Sequence, residues 1–390
     1  MSKTLQDYAT LINDTIQSNE INHYITTDNM CQNLGGIDTL KNINIPQGKV
    51  RSFQKDDVLL SNIRLYFRKV YRAKQKGGCS SDVLVFRAKH IDSTTLFAIL
   101  SSQIFTDYAC SGSQGSKMPR GNKTHMMDFK IPTINFTIAK IFNSIQNKIE
   151  NNHKINELLH KILELLYEQY FVRFDFLDEN NKPYQTSGGK MKFSKELNRL
   201  IPNDFEVKTL GELITWISGS QPPKSCHIYE HKEGYIRFIQ NRDYSSNDYI
   251  TYIPISKNNK ICYQYDIMID KYGEAGAVRF GLQGAYNVAL SKISVLNQSM
   301  QEYIRSYLNS KPIKKYLSNA CMASTRSSLN ENHIYSLMLP IPPINLLQKY
   351  EKIAKNIITA IINNNQSTQT LTALRDFLLP LLLKQQVKPE

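Results

Sequence analysis

The residues of this sequence that are best suited to chemistry are basic. Lysine and arginine number 48 against 34 aspartates and glutamates, which gives a formal net charge of +14 and an isoelectric point near 9.3. Residues 61–76, SNIRLYFRKVYRAKQK, contain no acidic residue. If this run is a strand, its period of two places Arg64, Arg68, Arg72 and Lys74 on one face with Tyr66. Such a face suits phosphate contacts and bidentate reading of guanine, so nucleic acid is the predicted ligand. A solvated outer face of an edge strand is the alternative.

Further candidates for DNA contact lie in polar loops, because loops tolerate change on a rigid scaffold. The loop at 111–122 contributes Ser113, Gln114, Lys117, Arg120 and Asn122, and the loop at 318–332 contributes Ser324, Thr325, Arg326 and Asn330. Three other segments contribute Lys224, the pair Asn241 and Arg242, and the pair Lys271 and Arg279. For each loop, an ordinary solvated turn is the alternative.

Catalytic motifs are mostly missing from the sequence. Neither QPPK at 221–224 nor PIPPI at 340–344 fits the [DNS]PP[YF] turn that grips a flipped adenine, and no GxxxxGK[ST] loop is present. Glu206 and Lys208, with Asp175 or Asp178 upstream, could form half of a metal-dependent nuclease site. A three-residue ExK is expected by chance in a basic protein, so no catalytic residue and no metal site are predicted.

Two long apolar repeats must position these residues. Residues 134–171 place Ile138, Ile141, Ile145, Lys148, Asn152, Ile155, Leu159, Ile162 and Leu166 at alternating steps of three and four. Residues 346–379 repeat the pattern, with Tyr350, Ile353, Ile357, Ala360, Asn364, Ser367, Leu371, Leu374, Leu378 and Leu381 in the seam. Both seams become polar at the same place, near Asn152 and Asn364. This is the coiled-coil period, and a polar seam residue fixes register. The two segments are therefore expected to be rods of roughly 50 Å that pair with each other.

The same order of segments occurs twice: a globular unit, a polar loop, a proline and a rod. The two copies are offset by roughly 210 residues, which indicates an internal duplication. Residues 210–214 match 5–9, and residues 266–270 match 57–61. The predicted boundaries are a globular domain at 1–132, a spacer helix at 133–175, a connector at 176–205, a second domain at 206–342, a second helix at 343–384 and a tail at 385–390. The predicted fold class is α+β, with two mixed domains on paired helices.

Cysteine usage and the N-terminus bear on the compartment. The six cysteines are scattered and form no CxxC, which is typical of reduced thiols. The first residues, MSKTLQDYATLINDT, include no apolar core of a secretory signal. A cytoplasmic protein is expected.

Several motifs together resemble the DNA-specificity subunits of type I restriction-modification enzymes. They are LGELITWISGSQP at 210–222, the IP and LPIPP openings of the rods, KIENNHKINELL, YEQYFVRFDF, KPYQTSGGKM and the terminal LRDFLLPLLLKQQV. The resemblance covers the whole chain. It departs in the first domain, where NDTIQSN stands in place of the GSQPP loop, so residues cannot be transferred between the domains.

The resemblance implies two target-recognition domains separated by two antiparallel helices about a pseudo-twofold axis. It implies that each domain reads one half of a bipartite, asymmetric site in double-stranded DNA. It also implies docking of two methylase subunits that methylate adenine, and through them of motor-nuclease subunits, in bacterial antiphage defence. S-adenosylmethionine would belong to the methylase subunits, ATP and Mg²⁺ to the motor subunits, and this chain would bind no cofactor. Two other hypotheses remain, a stand-alone metal-dependent nuclease and a coiled-coil adaptor that binds protein alone.

Overall fold

The computed structural model describes residues 3–39, 41–131, 134–245, 249–322 and 328–382. The chain divides into two compact units, of which the first contains Met1–Glu157 and Asn364–Glu390 and the second contains Leu158–Asn363. Each unit mixes helices and strands, as predicted, and two long helices contribute residues to both.

In the described residues of the first unit, eight strands form two four-stranded sheets. The shorter helices are α1 (Leu5–Tyr8), α2 (Ser93–Leu100), α3 (Gln103–Ser111) and α4 (Lys123–Met127). The strands are β1 (Ala9–Ile12), β2 (Thr15–Gln17), β3 (Tyr24–Ile25), β4 (Lys49–Phe53), β5 (Val58–Ser61), β6 (Val70–Arg72), β7 (Gly77–Cys79) and β8 (Val83–Ala88). One sheet has the order β1-β8-β5-β6 and is antiparallel throughout. The other has the order β2-β4-β7-β3, in which β3 and β7 are parallel.

Strand β5 is buried on both faces, which explains its continuous apolar sequence. Val58 and Leu60 pack into the core that contains helices α2 and α3, whereas Leu59 packs into the core on the other side of the sheet. Its neighbour β8 divides in the same way, with Leu84 on the helix side and Val83 opposite. The central strands therefore hold the helices and the second sheet together.

The second unit is built from the following elements. Its strands are β9 (Met191–Ser194), β10 (Arg199–Pro202), β11 (Glu206–Thr209), β12 (Ile214–Ser218), β13 (Tyr235–Ile239), β14 (Tyr252–Pro254), β15 (Ile261–Cys262), β16 (Ile267–Asp270), β17 (Val278–Arg279), β18 (Gly284–Tyr286), β19 (Leu290–Val295) and β20 (Met338–Ile341). The long helices are α5 (Phe136–Tyr167), which continues through a π-helical turn (Glu168–Val172), and α9 (Ile344–Leu382). The shorter helices are α6 (Gln301–Asn309), α7 (Lys311–Met322) and α8 (Glu331–Tyr335).

The sheet topology confirms the predicted duplication. The order β12-β19-β16-β17 repeats β1-β8-β5-β6 strand for strand in chain order. In the other sheet, β18 pairs parallel to β13 and antiparallel to β15, as β7 pairs with β3 and β4. Strand β2 of the first unit and strand β14 of the second have no equivalent in the other unit, and each is an edge strand of its sheet. The two units therefore share a scaffold and differ at the edge of this sheet.

The proposed match between 5–9 and 210–214 is confirmed by local chemistry. Thr4 and Asp7 form a capping box, and so do Thr209 and Glu212. The leucine that follows each threonine is fully buried. Its N–H donates to the carbonyl of Phe129 in the first unit and of Leu337 in the second.

Within the first unit, α5 and α9 pair in antiparallel register. The side chain of Asn152 lies 3.1 Å from Thr368 Oγ1, and that of Asn156 lies 2.8 Å from Asn365 Oδ1. Residue numbers rise along one helix as they fall along the other, which confirms the antiparallel pairing. The polar step of the seam lies where the sequence places it.

The predicted seam is correct at Ile138, Ile145 and Asn152, which are buried, but the positions between them are shifted by about one residue. Ile141, Ile155 and Ile162 are exposed rather than buried, whereas Phe142 and Ile149 are buried. In the second repeat, three predicted seam residues, Ile353, Ser367 and Leu374, are exposed, while residues next to predicted seam positions are buried: Ala354, Ile358 and Arg375. The helices also pack against the globular domains, and that contact rotates the buried face.

The connector predicted at 176–205 is partly ordered into a hairpin of β9 and β10. Among the described helices, none combines the length and the apolar character that a bilayer span requires.

Candidate nucleic-acid interface

Residues 61–76 do not form one strand, so that prediction is wrong. Strand β5 ends at Ser61, and a 3₁₀ turn (Leu65–Phe67) precedes β6. Arg64 and Arg68 flank the turn with φ of 50° and 48°, in the left-handed region. Residues other than glycine rarely adopt this region, so the alternation of residue types in the sequence did not indicate the turn between β5 and β6. The basic residues consequently do not share one face.

Three of these basic residues contact acidic residues of the first unit. Arg72 lies 3.2 Å from Asp56, and Lys74 Nζ lies 2.7 Å from Glu150 on α5. Arg68 donates to the carbonyl of Ser101, with Asp376 of α9 at 3.9 Å. The contacts of Lys74 and Arg68 tie the domain to its two helices. DNA binding by Arg68, Arg72 and Lys74 stays a prediction.

Another contact between the domain and the helices was not predicted from the sequence. Arg375 is 1% exposed, and its guanidinium lies 3.1 Å from Gln146 Oε1 and 3.2 Å from the carbonyl of Asn33. The signal was a charged residue beside the predicted seam in LRDFLL. A buried arginine requires such partners, so it fixes the domain against the helix pair.

The structure brings Arg64 together with the loop at 111–122. Its backbone N–H donates to the carbonyl of Pro119 at 2.9 Å, and its Nη2 lies 3.3 Å from the carbonyl of Lys117. Gln114 and Arg120 exchange two backbone hydrogen bonds of 2.9 Å, which closes the loop into a narrow hairpin. Arg64, Gln114, Lys117 and Arg120 therefore form one surface, which we call the first recognition surface.

Two exposed apolar side chains belong to the same surface and were not among the predicted contacts. Tyr66 is 54% exposed on the 3₁₀ turn, and Met118 is exposed at the loop tip. The aromatic residue within the basic run was the available signal for Tyr66. Ser113 and Asn122 serve local structure, because Ser113 Oγ donates to the carbonyl of Ala109 and Asn122 caps α4.

In the second unit, three predicted residues lie on neighbouring loops. The side chain of Asn241 donates to the carbonyl of Tyr272 at 3.2 Å, and Lys271 Nζ lies 5.9 Å from the ring of Tyr272. Arg242 stands over the ring of Tyr249 at 5.9 Å. Asn241, Arg242, Lys271, Tyr249 and Tyr272 form the second recognition surface. Both tyrosines are exposed, and neither was predicted.

Arg279 is engaged inside the hairpin of β16 and β17. It lies 2.9 Å from Asp270 and 2.5 Å from Glu274. Burial raises the pKa of the Asp270 carboxyl, and Arg279 opposes that rise. These ion pairs hold the hairpin together, and DNA binding by Arg279 stays a prediction. Lys224 is exposed in a 3₁₀ turn (Lys224–Cys226). Ser324, Thr325 and Arg326 lie outside the described residues.

The carboxylates considered for a nuclease site are used in turns. Asp175 accepts from the N–H and the hydroxyl of Thr186, each at 2.8 Å, and Asp178 accepts from the N–H groups of Asn180 and Lys182. Glu206, an exposed residue of strand β11, lies 3.8 Å from Lys208 on the same strand. Across the described residues, no three histidine, cysteine, aspartate or glutamate side chains gather as metal ligands would.

Comparisons with known proteins agree with this geometry. Residues 202–373 match the family described as Type I restriction modification DNA specificity domain. The MjaIX specificity subunit of a type I restriction enzyme from Methanocaldococcus jannaschii is 24% identical over 307 residues, which cover 76% of this chain and 69% of the relative. The HindI specificity subunit from Haemophilus influenzae is 22% identical over 309 residues, which cover 64% and 66%.

A solved structure matches along almost the whole chain. The crystal structure of a type I restriction-modification S subunit from M. genitalium has a TM-score of 0.63 at 15% identity, covering 98% of this chain and 96% of that one. This similarity shows a shared fold.

The chain thus contains two similar mixed domains and a pair of long helices, and each domain carries an exposed basic and aromatic surface. Residues 202–373 match the type I restriction modification DNA specificity domain, and the resemblance of this chain to type I specificity subunits is confirmed.

Proposed function

We propose that this chain is the non-catalytic, sequence-specific DNA-binding subunit of a type I restriction-modification complex, and that each domain reads one half of a bipartite, asymmetric site. The repeated sheet topology carries the proposal, because two copies of one scaffold present two different recognition surfaces. Different surfaces suit different half-sites, and an asymmetric DNA sequence requires two different readers.

The first recognition surface offers guanidinium, amide and ammonium donors beside an exposed tyrosine. Arg120 pairs with Asp82 at 3.2 Å but keeps more than half of its side chain exposed. Such a residue can exchange an exposed carboxylate for a phosphate at small cost, because surface ion pairs contribute little. The second recognition surface combines the same kinds of group in different numbers, with Arg242, Lys271 and Asn241 beside two tyrosines.

The helices supply surfaces for two methylase subunits. On α5, within the second unit, Ile162 and Leu165 are 48% and 50% exposed. On α9, within the first unit, Leu374 and Phe377 are 45% and 67% exposed with the same spacing. Apolar side chains at matched positions of both repeats suit two copies of one partner. S-adenosylmethionine would be bound by the methylase subunits, and ATP and Mg²⁺ by motor-nuclease subunits that join through them.

DNA reading is tested by incubating the chain, purified with its methylase subunits, with a random-sequence duplex library and mapping the methylated adenines. The expected result is a two-part motif with an unspecified spacer, and binding that weakens steeply with salt. A library methylated without preference at either half would contradict the proposal. Retention of protein partners without DNA would instead support an adaptor, and Mg²⁺-dependent cleavage by the chain alone, lost in Glu206→Ala, would support a nuclease.

Methylase docking is tested by native mass spectrometry of Leu165→Asp and Phe377→Asp. Each single variant should bind one methylase subunit instead of two, and the double variant should bind none, because a charge replaces an apolar contact. Asn151→Asp, an exposed polar position on α5, is the control and should bind two. Two methylase subunits on the double variant would contradict the assigned surfaces.

A further inference from the structure

One histidine contacts both ends of the loop in the first recognition surface. The loop, residues 113–121, lies between the end of α3 and the start of α4. His125 is in the first turn of α4, and its ring stacks on that of Tyr108 in α3, with centroids 4.1 Å apart and planes 7° from parallel. The helix that follows the loop is thereby held against the helix that precedes it.

The contacts of the ring indicate which of its nitrogens donates a hydrogen bond. Nε2 of His125 lies 2.9 Å from the carbonyl oxygen of Tyr108. A carbonyl only accepts, so Nε2 carries the proton. This carbonyl is one of the last four of α3, which have no partner within the helix. The hydroxyl of Ser111 donates to the same oxygen at 2.7 Å.

The other end of the loop is fixed by the backbone of the same residue. The N–H of His125 donates to Oδ1 of Asn122, 3.1 Å away, which caps α4. At the start of the loop, Gly112 packs directly on the imidazole, since a Cβ at that position would lie 2.2 Å from Cδ2 of His125. Only glycine leaves room for the ring.

Residues 113–121 should move together when the ends of the loop are displaced. The paired hydrogen bonds between Gln114 and Arg120 make it a closed hairpin, and Gly121 donates to the carbonyl of Asn62. A shift of the base would therefore carry Lys117, Met118 and Arg120 together. Base reading depends on such preorganisation, because donors must meet base edges within hydrogen-bond distance.

We propose that His125 is a positioning residue that sets the placement of residues 113–121, and thereby the base preference of the first half-site. This inference rests on the proposed function, and His125 itself need not touch DNA. The second unit provides a matched position. His333 lies at the corresponding place in α8, where its N–H donates to Oδ1 of Asn330 and its Nδ1 accepts from the N–H of Asn330.

The test compares methylation motifs on a random-sequence duplex library for complexes containing wild-type chain, His125→Ala, His125→Gln and His333→Ala. His125→Ala should lose about tenfold or more of its discrimination at the first half-site, since a displaced contact forfeits the discrimination of one base pair. The second half-site should keep its preference. His125→Gln retains an amide donor near the Nε2 position and should recover part of the first-half preference. His333→Ala should leave the first half-site unchanged.

The outcomes separate this inference from the proposed function. A wild-type complex without a two-part motif would contradict the proposed function itself. The role of His125 would be overturned if the His125→Ala complex kept the wild-type preference at both half-sites. It would also be overturned if that complex lost preference equally at both. If His125→Ala fails to fold, Gly112→Ala decides the question, because its methyl group displaces the imidazole while Nε2 and Asn122 remain in the chain. Unchanged first-half preference in folded Gly112→Ala would also overturn the proposal.

Discussion

Asn364 and Asn156 are joined side chain to side chain, with Nδ2 of Asn364 lying 3.0 Å from Oδ1 of Asn156. Asn156 in turn donates to Oδ1 of Asn365 at 2.8 Å. Within the first unit, a slip of one turn between α5 and α9 would separate these amides from each other. The asparagines therefore select one antiparallel register among those that the apolar residues alone would allow.

Replacing Asn156 with alanine should reduce the free energy of unfolding by about 1–2 kcal/mol, because two partner amides lose a hydrogen bond at a partly buried site. Urea unfolding followed by circular dichroism measures the change. Asn151→Ala, on the exposed face of the same helix, should change it by less than about 0.5 kcal/mol. Equal losses in both variants would show that the amide pair does not contribute to register.

The position of the helical seam shows what the sequence could predict and what it could not. The 3-4 spacing predicted two paired helices and the polar step, and both are present. It placed Ile155 in the seam, although Ile155 is 43% exposed and Ile149, six residues earlier, is 1% exposed. A helix has 3.6 residues per turn, so a 3.5-residue pattern drifts around its surface, and contact with a globular domain then determines which residues are buried.

The observed seam predicts that alanine substitution lowers the stability of the protein much more at Ile149 than at Ile155. Ile149→Ala should destabilise the protein by about 2–4 kcal/mol, because it leaves a cavity in a closed interface. Ile155→Ala should change stability by about 0.5 kcal/mol or less. Thermal unfolding of the two variants provides the measurement. The reverse order would restore the seam predicted from spacing.

The recognition surfaces were only partly predictable for a related reason. The duplication could be found because its capping residues are local in sequence, as at Thr4 and Thr209. The partner of Lys74 could not be predicted, because Glu150 lies 76 positions later in the chain. The 3₁₀ turn at Leu65–Phe67 depends on two arginines in the left-handed region, which tertiary contacts impose.

Stability should depend on pH through Glu351, which lies on α9 beside α6. The pKa of its carboxyl is raised from 4.5 to about 7, chiefly by burial and also by the charge of Glu302, although the N–H of Glu302, Arg305 and Lys355 oppose the rise. The folded state therefore binds this proton more tightly than the unfolded state does. Its contribution to stability is complete below pH 4.5 and is lost as pH rises through about 7.

Glu351→Gln should remove this dependence, because an amide keeps an acceptor for the Glu302 N–H without a charge. At pH 8 the variant should be more stable than the wild type by about 1–2 kcal/mol, and at pH 5 the two should agree closely. Urea unfolding at both values checks this. The exposed Glu230→Gln serves as control. A variant that is less stable than the wild type at pH 8 would contradict the assigned direction.

Two arginines of the first unit should respond differently to removal. Arg120 is exposed on the recognition hairpin and pairs with the partly exposed Asp82, whereas Arg72 contacts Asp56, Ser93 and Thr94 and is largely covered. Arg120→Ala should weaken DNA binding and reduce the slope of log K against log salt by about one, as expected for the loss of one phosphate contact. Arg72→Ala should leave that slope unchanged and lower the melting temperature instead. Fluorescence anisotropy over a salt series, with thermal unfolding of both variants, distinguishes the two roles. An equal decrease in slope for Arg72→Ala would place that guanidinium on the DNA and show that its contacts with Asp56 open when the complex forms.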